Sequence, residues 1–317
     1  MAGPLGGRHN RRASRLELRV LRYFLAVARE ENITRAAKAL HITQPTLSRQ
    51  LAQLEQELGQ TLFCREAGRP FLTRAGRLLK RRAQELLSLA DKAEEEIRAQ
   101  ANLVTGTISI GSAESASARI WPRLLRAFSK AYPQVQYELY TGNADHIKER
   151  IDQGLLDFGL LVEPVEIAKY HSLSLGQTEQ WGVLMRSDAP LAEREFVTAE
   201  ELCSLPLLNA HRPVVQDELA AWFGKAKDSV HILATYNLIG NAALMVREGL
   251  GYALTIEGAV ALYQNPELCF RPLFPPLVDR SVFIWKKEQP LGRASAKFLE
   301  MLKSIQKTGI EKNFVLE

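Results

Sequence analysis

The sequence predicts an α/β body of two lobes, preceded by a small all-α front end and one long connecting helix. Three observations lead there. Near residue 102 the chain changes from helical periodicity to alternating strands and helices. Charge divides at the same place: residues 1–100 carry a net +8 and residues 101–317 a net −3. A length of 317 residues also exceeds what one hydrophobic core usually fills. With 46% hydrophobic and 24% charged residues, the composition excludes disordered, collagen-like and fibrous classes. No run of 18 apolar residues occurs, which argues against a transmembrane helix, and the basic residues near the start have no apolar stretch behind them, so no secretory signal is read. Cys64, Cys203 and Cys269 form no CxxC pair, which fits a reducing, cytoplasmic setting.

Each element follows from local pattern. Residues 1–16 are rich in Gly and Arg and read as a disordered basic arm. Leu18, Leu21, Phe24, Leu25 and Ala28 recur at helical spacing and mark one buried face. Asn32 caps a second helix over 33–40, which His41-Ile42-Thr43 breaks. Thr43 caps a third helix that tolerates Pro45 in its first turn and ends at Gly59. Leu62-Phe63 and Pro70-Phe71-Leu72 flank a polar turn and read as a hairpin, closing a front-end domain over 17–72. Over 73–103 the residues Leu72, Gly76, Leu79, Ala83, Leu86, Ala90, Ala93 and Ile97 form a heptad stripe. That period favours pairing with a second copy over packing on the chain's own body. Strands are expected near 108–110, 135–139, 156–162, 181–185, 207–209, 230–234, 252–256 and 282–285, with helices between them. Such alternation indicates parallel sheets with helices on both faces. Lobe I should hold about 104–175 plus 281–317, and lobe II about 176–280.

Residues 33–51 meet the requirements of a helix-turn-helix. Ala37 is small where the two helices cross, while Ala36, Leu40, Ile42, Leu47 and Leu51 are apolar where the three-helix core needs filling. His41 stands where such turns often carry glycine, a slot His tolerates better than most residues. The third helix would present Gln44, Thr46, Ser48, Arg49 and Gln53 outward, its first residues facing base edges in a major groove. Arg35 lies on the preceding helix, and Arg65 and Arg69 lie on the hairpin, where a wing would meet the sugar-phosphate backbone. A solubilising basic surface is the plainer alternative.

Residues 17–77 resemble the front end of LysR-type transcriptional regulators. The specific part is Ala36-Ala37, Gln44-Pro45-Thr46-Leu47-Ser48, Leu54-Glu55, Leu58-Gly59, Leu62-Phe63 and Thr73-x-x-Gly76. The resemblance extends through the long helix and, more loosely, to the C-terminus. It implies a winged helix-turn-helix that binds double-stranded DNA, pairing of linker helices, and a homotetramer. It further implies an effector domain of two Rossmann-like lobes, similar to periplasmic solute-binding proteins, with a small organic effector between them. Relatives usually begin one or two residues before Leu18, so residues 1–15 are extra: an added basic arm or a start-site difference.

Within the effector domain, the loop 111–117 joins a strand to a helix, so free backbone N–H groups and hydroxyls should face the cleft. The resemblance assigns Ser112 and Ser115 to effector contact, and Ser115 is equally well placed as a helix cap. On the second lobe it points to the segment 209–213, where Arg212 suits a carboxylate or phosphate. His211 there could titrate near neutral pH or be an ordinary surface histidine. Asn237 lines the cleft or caps a helix. Glu114 and Glu257 near one cleft would repel a simple anion, and an effector with both a carboxylate and a cationic group reconciles them with Arg212. Gly249-Leu250-Gly251 reads as a tight turn, since no third glycine opens a helix after it.

No HExxH, GxSxG or GxxxxGK[ST] motif is present, so the sequence offers no enzyme. The histidines lack ligand spacing, and neither a metal nor a cofactor is expected. Cys203 and Cys269 share a predicted lobe but lack a basic setting that would favour thiolate, and Cys64 is expected in the core.

Overall fold

A computed structural model describes residues 16–66, 69–98, 104–261, 263 and 265–308. The arm expected over 1–16 lies, but for Leu16, outside the described residues. The chain forms two units, Met1–Ile97 and Arg98–Glu317.

In the first unit α1 (Leu18–Glu30), α2 (Ile33–Ala39) and α3 (Gln44–Leu58) precede a hairpin of β1 (Phe63–Glu66) and β2 (Arg69–Leu72), followed by α4 (Arg74–Arg98). The caps are those the residues specify. Asn32 Oδ1 accepts from Arg35 N at 2.9 Å, and Thr43 Oγ1 accepts from Thr46 N at 3.4 Å. Gly59 closes α3 with φ 62°, and the left-handed residue in the helix-turn-helix bend is His41, at φ 54°. Leu21, Phe24, Val27, Leu47 and Leu54 fill the core, and Ala36 and Ala37 are buried within it. Phe63 points inward, its ring tilted against that of Phe24 with centroids 5.2 Å apart. Alternation along the strand then turns Cys64 outward. The expectation of a core cysteine is therefore corrected: Cys64 is exposed, its thiol donating to Phe71 O at 3.4 Å.

Two side chains fasten the hairpin to the helices. Glu55 Oε1 accepts from Leu62 N at 2.6 Å and Phe63 N at 3.0 Å. Thr73 Oγ1 donates to Thr61 O at 2.7 Å and accepts from Gly76 N at 3.0 Å, capping α4 while holding the hairpin's entry. A Cβ on Gly76 would stand 2.2 Å from the Leu62 carbonyl oxygen, so the helix can approach only with glycine there.

The heptad stripe divides between two roles. Gly76, Ala83 and Leu87 are buried and Leu79 half-buried against the front-end core, so the first turns of α4 pack on their own unit. Leu86, assigned to the same stripe, is exposed, as are Leu78 and Leu89. At 100° per residue Leu78 and Leu89 project within about 20° of each other, forming a separate apolar face. The side chain of Ile97 is outside those described.

The second unit runs β3 (Gly106–Ser112), a 3-10 turn (Ala116–Arg119), α5 (Ile120–Ala131), β4 (Val135–Thr141), α6 (Ala144–Asp152), β5 (Phe158–Val162), β6 (Tyr170–Arg186), α7 (Ala199–Leu202), β7 (Pro206–Ala210), α8 (Pro213–Phe223), a 3-10 turn (Gly224–Ser229), β8 (His231–Tyr236), α9 (Ile239–Arg247), β9 (Tyr252–Ile256), α10 (Glu257–Val260), β10 (Leu268–Pro272), β11 (Val278–Lys286) and α11 (Arg293–Thr308). The strand order is β4-β3-β5-β11-β6-β9-β7-β8, with β10 on β6. Strands β3, β4 and β5 are parallel in lobe I, and β7, β8 and β9 are parallel in lobe II. The wholly parallel expectation is corrected at the centre: β6 and β11 run antiparallel to each other and to their neighbours. These two strands traverse both lobes. Lobe I packs Trp121, Phe128, Phe158, Phe283 and Phe298 on one face of its sheet and Ile147, Ile151 and Ile284 on the other. Lobe II is centred on Val183, Met185, Leu208, Leu219, Val246 and Leu254. Among the described residues no helix is long and apolar enough to cross a membrane.

Gly76→Ala is expected to destabilise the first unit by about 2 kcal/mol, the usual cost of overpacking. Hydrogen exchange would show faster opening of α1–α3, with amides of residues 104–308 unaffected.

Candidate nucleic-acid interface and ligand cavity

The front-end residues expected to face DNA share one side of α3 or flank it. Gln44, Arg49 and Gln53 are exposed, and Thr46 and Ser48 half-exposed. Gln44 Nε2 donates to Ser48 Oγ at 2.9 Å, the Thr43 and Thr46 hydroxyls are 2.8 Å apart, and Gln53 Nε2 donates to Glu57 at 2.8 Å. These polar groups are pre-arranged by their neighbours. Arg49 is different: among the described residues its guanidinium has no partner. Arg35 turns back onto the Glu30 carbonyl and lies 4.0 Å from its carboxylate. Arg69 is exposed on β2, while the side chain of Arg65, opposite Pro70 on β1, is outside those described.

In the second unit a cavity of about 110 Å³ opens between the lobes. Of the seven residues assigned to effector contact, Glu114, Arg212 and Asn237 line it. Ser112, Ser115, His211 and Glu257 do not. Ser112 Oγ donates to the Ala113 carbonyl at 3.1 Å. Ser115 is wholly buried at the N-cap position of the turn Ala116–Arg119, but its hydroxyl finds no partner among the described residues, so its side chain caps nothing. His211 Nδ1 lies 3.4 Å from Thr235 Oγ1, outside the cavity, and Glu257 is exposed in the first turn of α10.

Several N–H groups of the 111–117 loop are already taken: Ala113 N donates to the Leu160 carbonyl at 2.9 Å. Glu179, 1% exposed on β6, accepts from Ala116 N at 3.1 Å and Ser117 N at 3.2 Å. Nothing in the local pattern around residue 179 signals this, because its donors come from a loop 62 residues away. Across the cavity Glu114 does the same for α9, accepting from Ile239 N at 3.0 Å and from the Tyr263 hydroxyl at 2.6 Å. The bond to Glu114 pushes that phenol up to about 12. Arg212 reaches from lobe II to Asp145 at 3.1 Å and the Pro164 carbonyl at 3.1 Å. Two lobe-to-lobe latches thus occupy the groups that a simple anion would need. The remaining wall is largely apolar, with Val162, Trp181, Val215 and Ile256 beside a Glu163 carboxylate that has no partner among the described residues.

Behind Arg212 two carboxyl groups meet. Asp279 is buried and accepts from Trp181 Nε1 at 2.7 Å. Glu218 Oε2 is buried with no donor among the described residues. Burial first, and then the charge of Asp279, pushes the Glu218 carboxyl up to about 7, and burial raises Asp279 as well. A proton shared by the pair would supply the missing donor. Arg212 opposes this shift and Glu163 adds to it.

No group of three or more His, Cys, Asp or Glu side chains among the described residues could hold a metal ion. Cys203 donates to Ala199 O at 3.0 Å, and burial raises the Cys269 thiol despite Arg271.

Comparison with known proteins adds the following. Residues 18–77 match the family described as "Bacterial regulatory helix-turn-helix protein, lysR family", and residues 101–306 match "LysR substrate binding domain". The Hca operon transcriptional activator HcaR of Escherichia coli is 32% identical over 285 residues, covering 86% of this chain and 92% of that protein. The uncharacterized regulator YvbU of Bacillus subtilis is 29% identical, covering 90% and 97%. Among solved structures, CbnR, a LysR family transcriptional regulator, superposes with a TM-score of 0.69 at 25% identity over 91% of this chain and 99% of that one. CbnR has also been solved as a full-length complex with its target DNA, with a TM-score of 0.68 to this chain.

The carboxyl pair makes a pH prediction. Glu218 binds its proton more tightly in the folded state than at its ordinary value of 4.5, so its contribution is complete below that value and is lost as pH rises through about 7. The urea midpoint of the second unit should fall across that window. All four tryptophans lie beyond residue 101, so their fluorescence reports this unit alone. In Glu218→Gln the slope should flatten; an unchanged slope would mean that Glu218 does not hold the proton.

Proposed function

The chain belongs to the LysR-type family of DNA-binding transcriptional regulators, and on that premise we propose that it reads specific operator sequences through α3 and is switched by a small molecule in the cleft between its lobes. The observation that carries the DNA reading is the outward face of α3, where Arg49 stands without an internal partner among side chains already fixed by hydrogen bonds. Guanidinium groups pair bidentately with guanine O6/N7, and glutamine with adenine N6/N7. Gln44, Thr46, Ser48, Arg49 and Gln53 are the proposed base-reading set, with Arg35, Arg65 and Arg69 on the phosphates.

In the cleft the proposed contacts are Glu114, Arg212 and Asn237. Ser112, Ser115, His211 and Glu257 stay in the proposal only as neighbours that could turn toward a ligand on closure. The lining holds two glutamates, and its one arginine is already paired. That balance favours an effector with a cationic group opposite Glu163 and an apolar body against Trp181 and Val215. Binding would exchange latch contacts for ligand contacts and shift the lobes between two arrangements.

The exposed leucines of α4 support self-association through that helix, to a dimer and on to a tetramer. Leu78→Glu combined with Leu89→Glu should shift sedimentation toward monomer and weaken binding to two-half-site DNA. Retention of the wild-type mass would place the contact elsewhere.

Genomic fragments captured by the purified chain at 0.1–0.2 M salt, where non-specific binding weakens, test the whole reading. A few enriched sites with dyad symmetry are expected. Arg49→Ala should cost about 1–3 kcal/mol at those sites and relax one base preference. A uniform loss over all sequences, with a smaller salt slope, would instead make Arg49 a phosphate contact.

A further inference from the structure

A second and larger cavity, of about 330 Å³, lies within lobe II between α8, β7, β8 and the turn Gly224–Ser229. It shares no lining residue with the cleft. Its size falls in the range of small-molecule pockets, which the cleft as it stands does not reach. The chemistry of the two is opposite. No carboxylate lines the second cavity; its one charged group is Lys227, whose ammonium has no acceptor among the described residues. Asn209, 6% exposed, also lines it; its side chain's one hydrogen bond among the described residues is accepted by Oδ1 from Ala210 N at 2.7 Å, so its amide N–H groups have no acceptor among them. Leu219 and Phe223 are buried beneath these donors, and Val230 and Ile232 complete an apolar wall.

We propose that this cavity is a second ligand site, taking a small amphipathic organic acid. Its carboxylate is received by Lys227 and the Asn209 amide, a charge-assisted pairing that supplies the acceptors both groups lack. Its alkyl body covers Leu219, Phe223, Val230 and Ile232. The site sits on the helix that carries the interlobe latch: Arg212 is the N-cap of α8, and Leu219, Ala220 and Phe223 are its inner turns. A ligand that braces those turns biases the position of Arg212, so the acid and a cleft ligand alter each other's affinity by the same factor.

Hexanoate, with hexanamide as its uncharged counterpart, is a suitable probe for titration calorimetry of the full-length chain. Saturable hexanoate binding in the millimolar range or tighter is expected, with hexanamide weaker. Lys227→Gln, an exposed change, should weaken hexanoate about tenfold and erase the preference over hexanamide. Ala220→Phe should fill the cavity and abolish binding, with circular dichroism confirming that the variant folds. Hexanoate binding indifferent to Lys227→Gln, or no saturation at all, overturns the proposal. So does a result in which these substitutions change only the sedimentation of the chain, since that would make the cavity a contact between copies.

Discussion

The second unit is organised around one buried carboxylate at the point where the chain crosses between its lobes. Glu179 lies on β6 directly opposite Asp279 on β11, and both are buried. Two facing carboxylates in a sheet repel unless each has its own donors. Glu179 takes the Ala116 and Ser117 amides, with Ser281 Oγ at 3.4 Å, and Asp279 takes the Trp181 indole. Those bonds tie the 111–117 loop of lobe I to the strand that leads into lobe II. Packing there is correspondingly tight: a Cβ on Gly258 would fall 2.0 Å from Ala116 N and 2.4 Å from Glu179 Oε2. The loop, the crossing strands and the start of α10 therefore hold one another in place, and the cavity forms against that fixed point.

The first unit solves a similar problem with less burial. A four-residue hairpin strand pair has little stability alone. Here Glu55 grips it from α3 and Thr73 grips it from α4, so recognition helix, wing and linker helix share hydrogen bonds. A DNA-binding surface gains from such rigidity, because the cost of ordering it on binding is then already met within the fold.

Much of this was legible in the sequence, and what was not has a common cause. Caps at Asn32 and Thr43, the bend at His41 and the close approach at Gly76 are local, so three or four residues suffice to specify them. The long β6 was foreseen only over its apolar half, Trp181 onward, because its first half alternates weakly and carries polar residues on an exposed face. Its antiparallel partner β11 was shortened for the same reason. In the cleft, residue type indicated which groups could meet an anion but not that Glu179, Glu114 and Asp145 already do so. Those pairings join segments from 63 to 125 residues apart, a separation that no local pattern records. Leu86 and Leu87 show the finer limit: either could continue the stripe, and only packing against the front-end core decides that Leu87 is buried.

The interlobe latches also set the scale on which such a cleft can respond. On the proposed reading, a ligand entering the cleft would displace Arg212 from Asp145 or Glu114 from the start of α9, so part of its intrinsic affinity would be spent on opening contacts the protein makes with itself. The apparent dissociation constant is the intrinsic one divided by the fraction of molecules already open. A receptor working in this way would ignore trace amounts of its signal and answer only to accumulation. Its threshold is adjustable by changes at Asp145 or Tyr263 that never touch the ligand.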